Sequence, residues 1–309
     1  MIFERILNKF KKTLHDFQKF NFLLNSLGGR KFFQLTLETI FFIENSKRNR
    51  LKTKLLDNNI QFEINDDDGF LMCPSNTFKS QKDAVKNAND IFQIEKQHLD
   101  LNGQKKNTHL IEIPLKKHLT KDSPLMNFAL DSEVIKTVSK YLNTVPVLRE
   151  VRMMYSPNNG EFEGGSQMFH IDKEYPRMMK IFLFITPSSN QDGPLTTFSA
   201  KNSKMLIKKI GLLKPIHRIT DEHAFKDFSK DDTRTIIGEK GSVGFLDTGR
   251  CLHFGSRPTI NSKPRLIVWY VYHHFCANKF PFSLKGGERF DFQKNNSGQE
   301  PINSILTKS

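Results

Sequence analysis

The sequence predicts a mainly β protein with flanking helices, built on a jelly roll of the cupin kind. About eight short β-rich runs follow one another from Leu148 onward with turn residues between them, which is typical of a sandwich or barrel. Two of these runs carry chemistry, because His170 and Asp172 lie in one and His253 precedes the last. A jelly roll places a strand near its start beside a strand near its end. The predicted strands cover 149–155, 166–172, 178–186, 194–199, 217–220, 234–238, 242–248 and 264–275.

The first part of the chain is predicted to be helical, up to about residue 60, where a short strand follows. Apolar residues recur at helical spacing over about the first 60 residues, with basic residues between them. We therefore predict a helical extension over 1–50 and a main domain over 51–276, with the jelly roll from about 148. The polar residues 277–309 are predicted to form a C-terminal arm.

Two local signals mark helix ends in this part. Gly28 and Gly29 are predicted to divide the helical pattern of the extension into two segments. A further helix is predicted to end at Leu142, with Asp131 or Ser132 as its N-cap.

The chain is strongly basic. It has 47 Lys and Arg against 33 Asp and Glu, a formal net charge of +14. Such a balance is found in proteins that bind nucleic acid, anionic membranes or acidic substrates. Biased codon usage explains it better, because Lys, Asn, Ile and Phe are raised together. Nucleic acid is not expected as a partner, since no aromatic-and-basic recognition motif is present.

The cysteines and the apolar stretches suit a soluble cytoplasmic protein. Cys73, Cys251 and Cys276 form no C-x-x-C pair, as expected in a reducing compartment. Charges interrupt every apolar run at the N-terminus, so a secretory signal is not predicted. The apolar stretch 32–43 contains Glu38 and is too short to span a bilayer, which requires about 20 residues. An amphipathic N-terminal helix could contact a membrane surface, but packing on a domain is the favoured role.

His170, Asp172 and His253 are the candidate metal ligands. His170 and Asp172 alternate with Ile171, so on a strand both side chains point to one face. Two His and one carboxylate form the facial triad that leaves open positions on non-haem Fe(II). A lone His on a strand is more often an ordinary hydrogen-bonded residue. The hypothesis depends on the coincidence of this spacing with the following strand, the NQDGPLTTF turn and the distal His.

Arg265 is the candidate for binding a co-substrate. Three ligands on one face leave positions for O2 and for a 2-oxo acid, which occupies two of them. The far carboxylate of that acid needs a cation with fork geometry, and Arg provides it better than Lys. Arg265 opens the run RLIVWYVY, twelve positions after His253. The alternative is a surface cation after Pro264.

These segments resemble the Fe(II)- and 2-oxoglutarate-dependent dioxygenases, and most closely the phytanoyl-CoA dioxygenase-like family. The resemblance lies in QMFHID, in MKIFLFITPSSNQDGPLTTFS and in LHFGSRP with PRLIVWYVY, over roughly residues 128 to 276. It implies a double-stranded β-helix with helices packed outside. The resemblance also implies that His170, Asp172 and His253 bind the metal and that Arg265 clamps 2-oxoglutarate.

Three further expectations come from the resemblance. In related oxygenases a Lys or an aromatic residue of the strand after the ligands touches the 2-oxo acid, so Lys180 or Phe182 could do so here. Lys180 could equally be an exposed end of that strand. Asp172, in place of Gly or Ala, disfavours a halide-binding site and makes hydroxylation the default outcome. Residues 199–203 replace the Gly-Ser-His signature of the family, so the loop over the site is expected to be rebuilt.

The resulting hypothesis is a dioxygenase that uses Fe(II), O2 and 2-oxoglutarate as co-substrate to hydroxylate an unidentified small-molecule or lipid-like substrate. The alternative is a non-catalytic metal- or ligand-binding jelly roll, which the same ligands would permit. Fold and cofactor do not select the substrate. The aromatic candidates for the pocket wall are Tyr155, Phe169, Phe184 and Phe198.

Overall fold

The structure is a computed structural model, and it describes residues 26–56, 60–101, 109–157, 164–212, 214, 216, 218–257, 259 and 261–279. The helices in these ranges are α1 Leu27–Ile40, α2 Phe42–Leu56, α3 Gln81–Glu95, α4 Pro124–Ala129, α5 Ser132–Leu142, α6 Ala200–Ile210 and α7 Asp221–Ala224. The strands are β1 Phe70–Cys73, β2 Ile111–Ile113, β3 Val147–Ser156, β4 Met178–Phe184, β5 Leu195–Phe198, β6 Thr233–Ile236, β7 Val243–Leu246, β8 His253–Phe254 and β9 Arg265–His273.

The strands form two antiparallel sheets. The large sheet has the order β1-β7-β4-β9-β3-β2, and the small sheet has the order β6-β5-β8. From β3 onward the chain passes back and forth between the sheets, since β4, β7 and β9 are in the large sheet and β5, β6 and β8 are in the small one. This alternation is that of a jelly roll. The predicted mainly β fold with flanking helices is confirmed, and the described strands form two sheets and not one closed barrel.

The central strands divide their side chains between a helical core and an interior cavity. Met179, Ile181 and Leu183 of β4 are buried in the core that also includes residues of α3, α4 and α5. Because side chains alternate along a strand, the intervening residues face the other way. Those of β4 and β9 line the cavity: Lys180, Phe182, Phe184, Arg265, Ile267 and Trp269.

Gly28 and Gly29, predicted to divide two helical segments, lie at the start of α1, and the segment before them lies outside the described residues. Both residues are in the first turn of α1, where the Ser26 hydroxyl accepts from Gly29 N at 3.1 Å, and a further interruption that was not predicted falls at Phe41. First-turn amides have no partner within the helix, so a side-chain cap can hold glycines there. At α5, Asp131 is the N-cap, which was one of the two predicted residues.

Helix α1 packs directly on the jelly roll. Phe33 and Leu37 are buried with Val147 of β3 and with Tyr175. The boundaries of the extension, main domain and arm stay predictions, because residues 1–25 and most of the arm lie outside the described residues.

Two further findings concern the cysteines and the helices. Cys73, Cys251 and Cys276 are all free and buried. Over the ranges that the structure describes, no helix has both the length and the apolar character needed to cross a bilayer.

Candidate metal centre

His170 and His253 meet because their backbones pair. His170 N donates to His253 O at 3.0 Å, and His253 N donates to His170 O at 2.9 Å, in an isolated antiparallel bridge. Residues that pair in this way carry neighbouring side chains on one face. The two imidazole centroids are accordingly 4.3 Å apart.

Each imidazole is oriented by a backbone carbonyl of its own segment. His170 Nδ1 donates to Met168 O at 2.8 Å, and His253 Nδ1 donates to Cys251 O at 2.9 Å. A carbonyl oxygen only accepts, so the proton of each ring is on Nδ1. This tautomer leaves both Nε2 atoms with a lone pair for a metal, in the arrangement that protein metal ligands commonly have.

Asp172 completes the set of ligand atoms. Its Oδ1 lies 3.9 Å from His170 Nε2 and 3.9 Å from His253 Nε2. The three ligand atoms all lie within 4.8 Å of one another. Two atoms that each bind one ion at about 2.1 Å are at most about 4.2 Å apart. Both His–Asp separations are therefore within the span of a single ion.

Burial and charge set the protonation states of these ligands. Burial lowers the pKa of His253 to about 3 and lowers the pKa of His170 below its ordinary value. Burial by itself would raise the pKa of Asp172, but Lys180 and the two histidines hold that pKa below its ordinary value. Neutral imidazoles and an ionised carboxylate are the forms that bind a metal, so this donor set fits a divalent ion.

The ligands line an interior cavity that is partly open to solvent. Phe182, Ile267 and Trp269 supply much of its apolar wall. An apolar cavity with a few polar groups is typical of a small-molecule site. Among the aromatic candidates Phe184 also lines it, whereas three others pack in other parts of the molecule: Tyr155, Phe169 and Phe198.

Arg265 lies in the same cavity and is 6% exposed. Its Nη2 donates to Ser256 Oγ at 3.3 Å, and its Nε has no hydrogen-bond partner in the described part of the chain. Burial lowers its pKa to about 10, so the guanidinium is still charged at neutral pH. The alternative of a surface cation is wrong, because Arg265 is buried. A buried guanidinium with an unused N–H is suited to binding a ligand carboxylate.

The turn after β4 holds the segment between His253 and Arg265. Gly193 has a φ of 62°, and a Cβ at this position would lie 2.9 Å from the carbonyl carbon of Arg257. Gly193 O accepts from Ser256 N at 2.9 Å. Only glycine allows this approach, so the NQDGP turn of the sequence fixes the backbone that carries the partner of Arg265.

Lys180 also lines the cavity, but its ammonium is engaged with the protein. Its Nζ lies 2.6 Å from Asp172 Oδ2 and 4.9 Å from the ring centroid of Trp269. Burial lowers the pKa of Lys180, but Asp172 and then Glu174 outweigh burial and raise the pKa overall. A contact of Lys180 or Phe182 with a 2-oxo acid stays a prediction.

Arg30 is a site residue that the sequence analysis missed. From α1, its Nη2 donates to the carbonyl oxygens of Asp172 at 3.0 Å and Tyr175 at 2.8 Å. It is 2% exposed, and burial lowers its pKa to about 10. The one available signal was a basic residue at helical spacing from the apolar residues Phe33 and Leu37, which are buried with it.

Residues 199–203, which replace the family signature, begin a helix and do not form the rebuilt loop that was expected. Ser199 is the N-cap of α6 and accepts from Asn202 N at 3.1 Å. The hydroxyl of Ser203, inside that helix, accepts from Leu252 N at 2.8 Å. Helix α6 is thereby attached to the residue that precedes the ligand His253.

The fold and these residues define a jelly-roll protein with a candidate His-Asp-His metal centre in its interior. The sequence matches no family model and no curated protein. Solved structures do show similarity. EctD from S. alaskensis with 2-oxoglutarate and 5-hydroxyectoine is 18% identical, with 71% of this chain and 81% of EctD covered and a TM-score of 0.48.

Two further structures are similar. HygX from Streptomyces hygroscopicus, with nickel and 2-oxoglutarate bound, is 16% identical over 68% of this chain and 84% of HygX, with a TM-score of 0.43. EvdO2 from Micromonospora carbonacea var. aurantiaca is 16% identical over 73% of this chain and 89% of EvdO2, with a TM-score of 0.46. At these identities and TM-scores the fold of this chain rests on its own strand order. The resemblance to the phytanoyl-CoA dioxygenase-like family stays a prediction.

Proposed function

We propose that this protein is a non-haem iron dioxygenase that couples oxidative decarboxylation of 2-oxoglutarate to hydroxylation of a small-molecule or lipid-like substrate. One observation carries the proposal. The ligand atoms of His170, Asp172 and His253 converge in a cavity that also contains the buried Arg265 with an unused N–H. A plain metal binder needs the first of these features and has no use for the second.

The residues have distinct roles in this proposal. His170, Asp172 and His253 bind Fe(II), and Arg265 binds the remote carboxylate of 2-oxoglutarate through charge-assisted hydrogen bonds. Bound iron supplies the redox chemistry by which O2, 2-oxoglutarate and a C–H bond give succinate, CO2 and a C–OH group. The apolar walls at Phe182, Phe184 and other residues exclude water from the reacting groups.

The partners and the location that we propose are those predicted from the sequence. We expect a small-molecule substrate and no nucleic acid, and a cytoplasmic location agrees with the three free cysteines. The similar structures EctD and HygX were solved with small molecules, 5-hydroxyectoine and 2-oxoglutarate among them.

Succinate formation tests the proposal directly. The purified protein is loaded with Fe(II) without oxygen, and candidate substrates are screened for succinate formation that depends on O2 and 2-oxoglutarate. Asp172→Ala is the control, and it should form none. If iron and 2-oxoglutarate bind but no substrate yields succinate above that control, the non-catalytic binding protein becomes the better description.

A further inference from the structure

We propose that Lys180 is a positioning residue, which holds one oxygen of Asp172 so that this carboxylate binds the metal through its other oxygen. The inference rests on the proposed metal function. This role differs from the predicted contact with the co-substrate, because the ammonium of Lys180 is directed at the carboxylate of Asp172.

The two oxygens of Asp172 have different neighbours. Oδ1 is equally far, 3.9 Å, from the Nε2 atoms of His170 and His253, so it faces the space between the two imidazoles. Oδ2 is 2.6 Å from Lys180 Nζ. One carboxylate therefore addresses the metal position with one oxygen and the protein with the other.

The position of Lys180 is fixed independently of Asp172. It lies on β4, which pairs with β7 at Leu246 and with β9 at Val271. Its ammonium sits over Trp269, a contact that favours a cation. Glu150 and Glu174 are close enough to interact electrostatically with it, which helps to keep the charge buried. A cation held in this way need not move when an ion binds at Oδ1.

This arrangement has a chemical consequence. A carboxylate that binds with both oxygens would occupy two coordination positions, whereas the proposed chemistry needs open positions for 2-oxoglutarate and O2. A protonated Lys has three donors and no lone pair, so it satisfies Oδ2 without becoming a ligand itself. Lys180 would thus preserve the vacant positions of the metal.

Co(II) is the probe that tests the role of Lys180, because its d–d absorption depends on coordination number and geometry. In Lys180→Met we expect Co(II) to bind about 10- to 100-fold more weakly, as on loss of other outer partners of metal ligands. The d–d spectrum should also change as Asp172 rotates. Lys180→Arg, which retains a charged donor, should have the wild-type spectrum. Lys173→Met removes an exposed charge next to Asp172 in sequence, and should leave both measurements unchanged.

The outcomes are distinguishable. Co(II) binding by Lys180→Met that equals or exceeds wild type, with an unchanged spectrum, would show that the ammonium merely balances charge and would overturn the inference. If the wild type binds no Co(II), the metal proposal itself fails. If Lys180→Met does not fold, Lys180→Gln replaces it, since its amide retains a donor without the charge. In Lys180→Gln, a wild-type Co(II) spectrum supports the positioning role, and an altered spectrum contradicts it.

Discussion

Arg265 and Lys180 are two buried cations that line one cavity, and they differ in what pairs with them. Among the residues that the structure describes, Arg265 makes one long hydrogen bond, 3.3 Å to Ser256 Oγ, and its Nε has no partner. Lys180 contacts Asp172 Oδ2 at 2.6 Å. A buried charge is costly unless it is paired. The under-paired cation is therefore the one that gains most from a ligand anion, and the paired cation belongs to the framework of the site.

The two cations also differ in the ionisable groups that surround them. Serine hydroxyls lie near Arg265, with Ser156 Oγ 3.5 Å from Ser256 Oγ, and Asp192 is close enough to interact with it electrostatically. Lys180 interacts with several groups that ionise, and burial raises the pKa of Glu150 and of Glu174 there. Burial alone would raise the pKa of Asp192, but hydrogen bonds from Ser189 and Lys263 lower it overall. As the pH falls, Glu150 and Glu174 on the Lys180 side should therefore take up protons before Asp192 on the Arg265 side.

Removal of the carboxylate shared by the metal position and Lys180 should have the largest effect. We expect Asp172→Ala to lower succinate formation by more than about 100-fold, the upper range for loss of an outer partner of a metal ligand. The fold should persist, because Asp172 lies at the cavity and not among the core Phe and Ile side chains. Circular dichroism checks the fold, and unchanged turnover would remove Asp172 from the site.

Arg265→Lys tests the under-paired cation. The variant retains the charge but loses the fork, and each lost charge-assisted hydrogen bond costs about 1.5 to 3 kcal/mol. The affinity for 2-oxoglutarate should fall at least about tenfold while Fe(II) binding is retained. Anaerobic titration of 2-oxoglutarate into the Fe(II) protein, followed by metal-to-ligand absorption, measures this. Arg234→Lys on the exposed face of β6 is the matched control.

The stability of the metal-free protein should fall in acid. Burial lowers the pKa of His273 to about 3, and neither of its ring nitrogens has a hydrogen-bond partner within the ranges that the structure describes. The unfolded chain takes up a proton near pH 6.5 that the folded chain resists. His273 therefore does not lower the free energy of unfolding above about pH 6.5. Between pH 6.5 and pH 3 it lowers this free energy by at most about 1.4 kcal/mol per pH unit.

Denaturant unfolding at pH 7, 6 and 5 measures this dependence. His273→Phe should reduce its slope by about one proton, whereas Ser256→Ala, beside Arg265, should leave the slope as it is. Equal slopes in wild type and His273→Phe would mean that the imidazole at 273 does not resist protonation in the folded protein.

Ser256→Ala should have the smallest effect on binding. It removes the one hydrogen bond that the structure gives to Arg265 Nη2, and a long bond of this kind contributes about 1 kcal/mol. We expect the affinity for 2-oxoglutarate to fall about fivefold, less than in Arg265→Lys. An effect larger than that of Arg265→Lys would mean that Ser256, and not Arg265, is the main contact of the co-substrate.

The sequence predicted the long strands well, because hydrophobic runs and turns are local signals. β3, β4 and β9 match predicted strands closely. The predicted strand at 166–172 is reduced to bridges at Phe169 and His170, because residues 165–167 form a 3-10 turn. Helix α6 was not predicted, because residues 199–203, which contain its N-cap Ser199, were interpreted as a loop.

Within the site, the sequence identified residue types but not all of their partners. The convergence of His170 and His253 follows from the jelly roll, which makes distant segments neighbours. The contact of Lys180 with Asp172 depends on the direction of one long side chain, which no spacing rule specifies. Arg30 was missed because it acts on a carbonyl oxygen, and every residue has one.

The hydrogen bonds of Arg30 bear on where this gene product can be shortened. A chain trimmed at residue 50, the predicted end of the extension, would retain all three candidate ligands. It would lose the guanidinium that holds the Asp172 and Tyr175 carbonyls, together with the Phe33 and Leu37 packing that anchors α1. Such a protein is expected to behave in metal titrations like a ligand variant, although it retains every strand of the jelly roll. A helix outside the jelly roll thus supports the backbone of a candidate metal ligand.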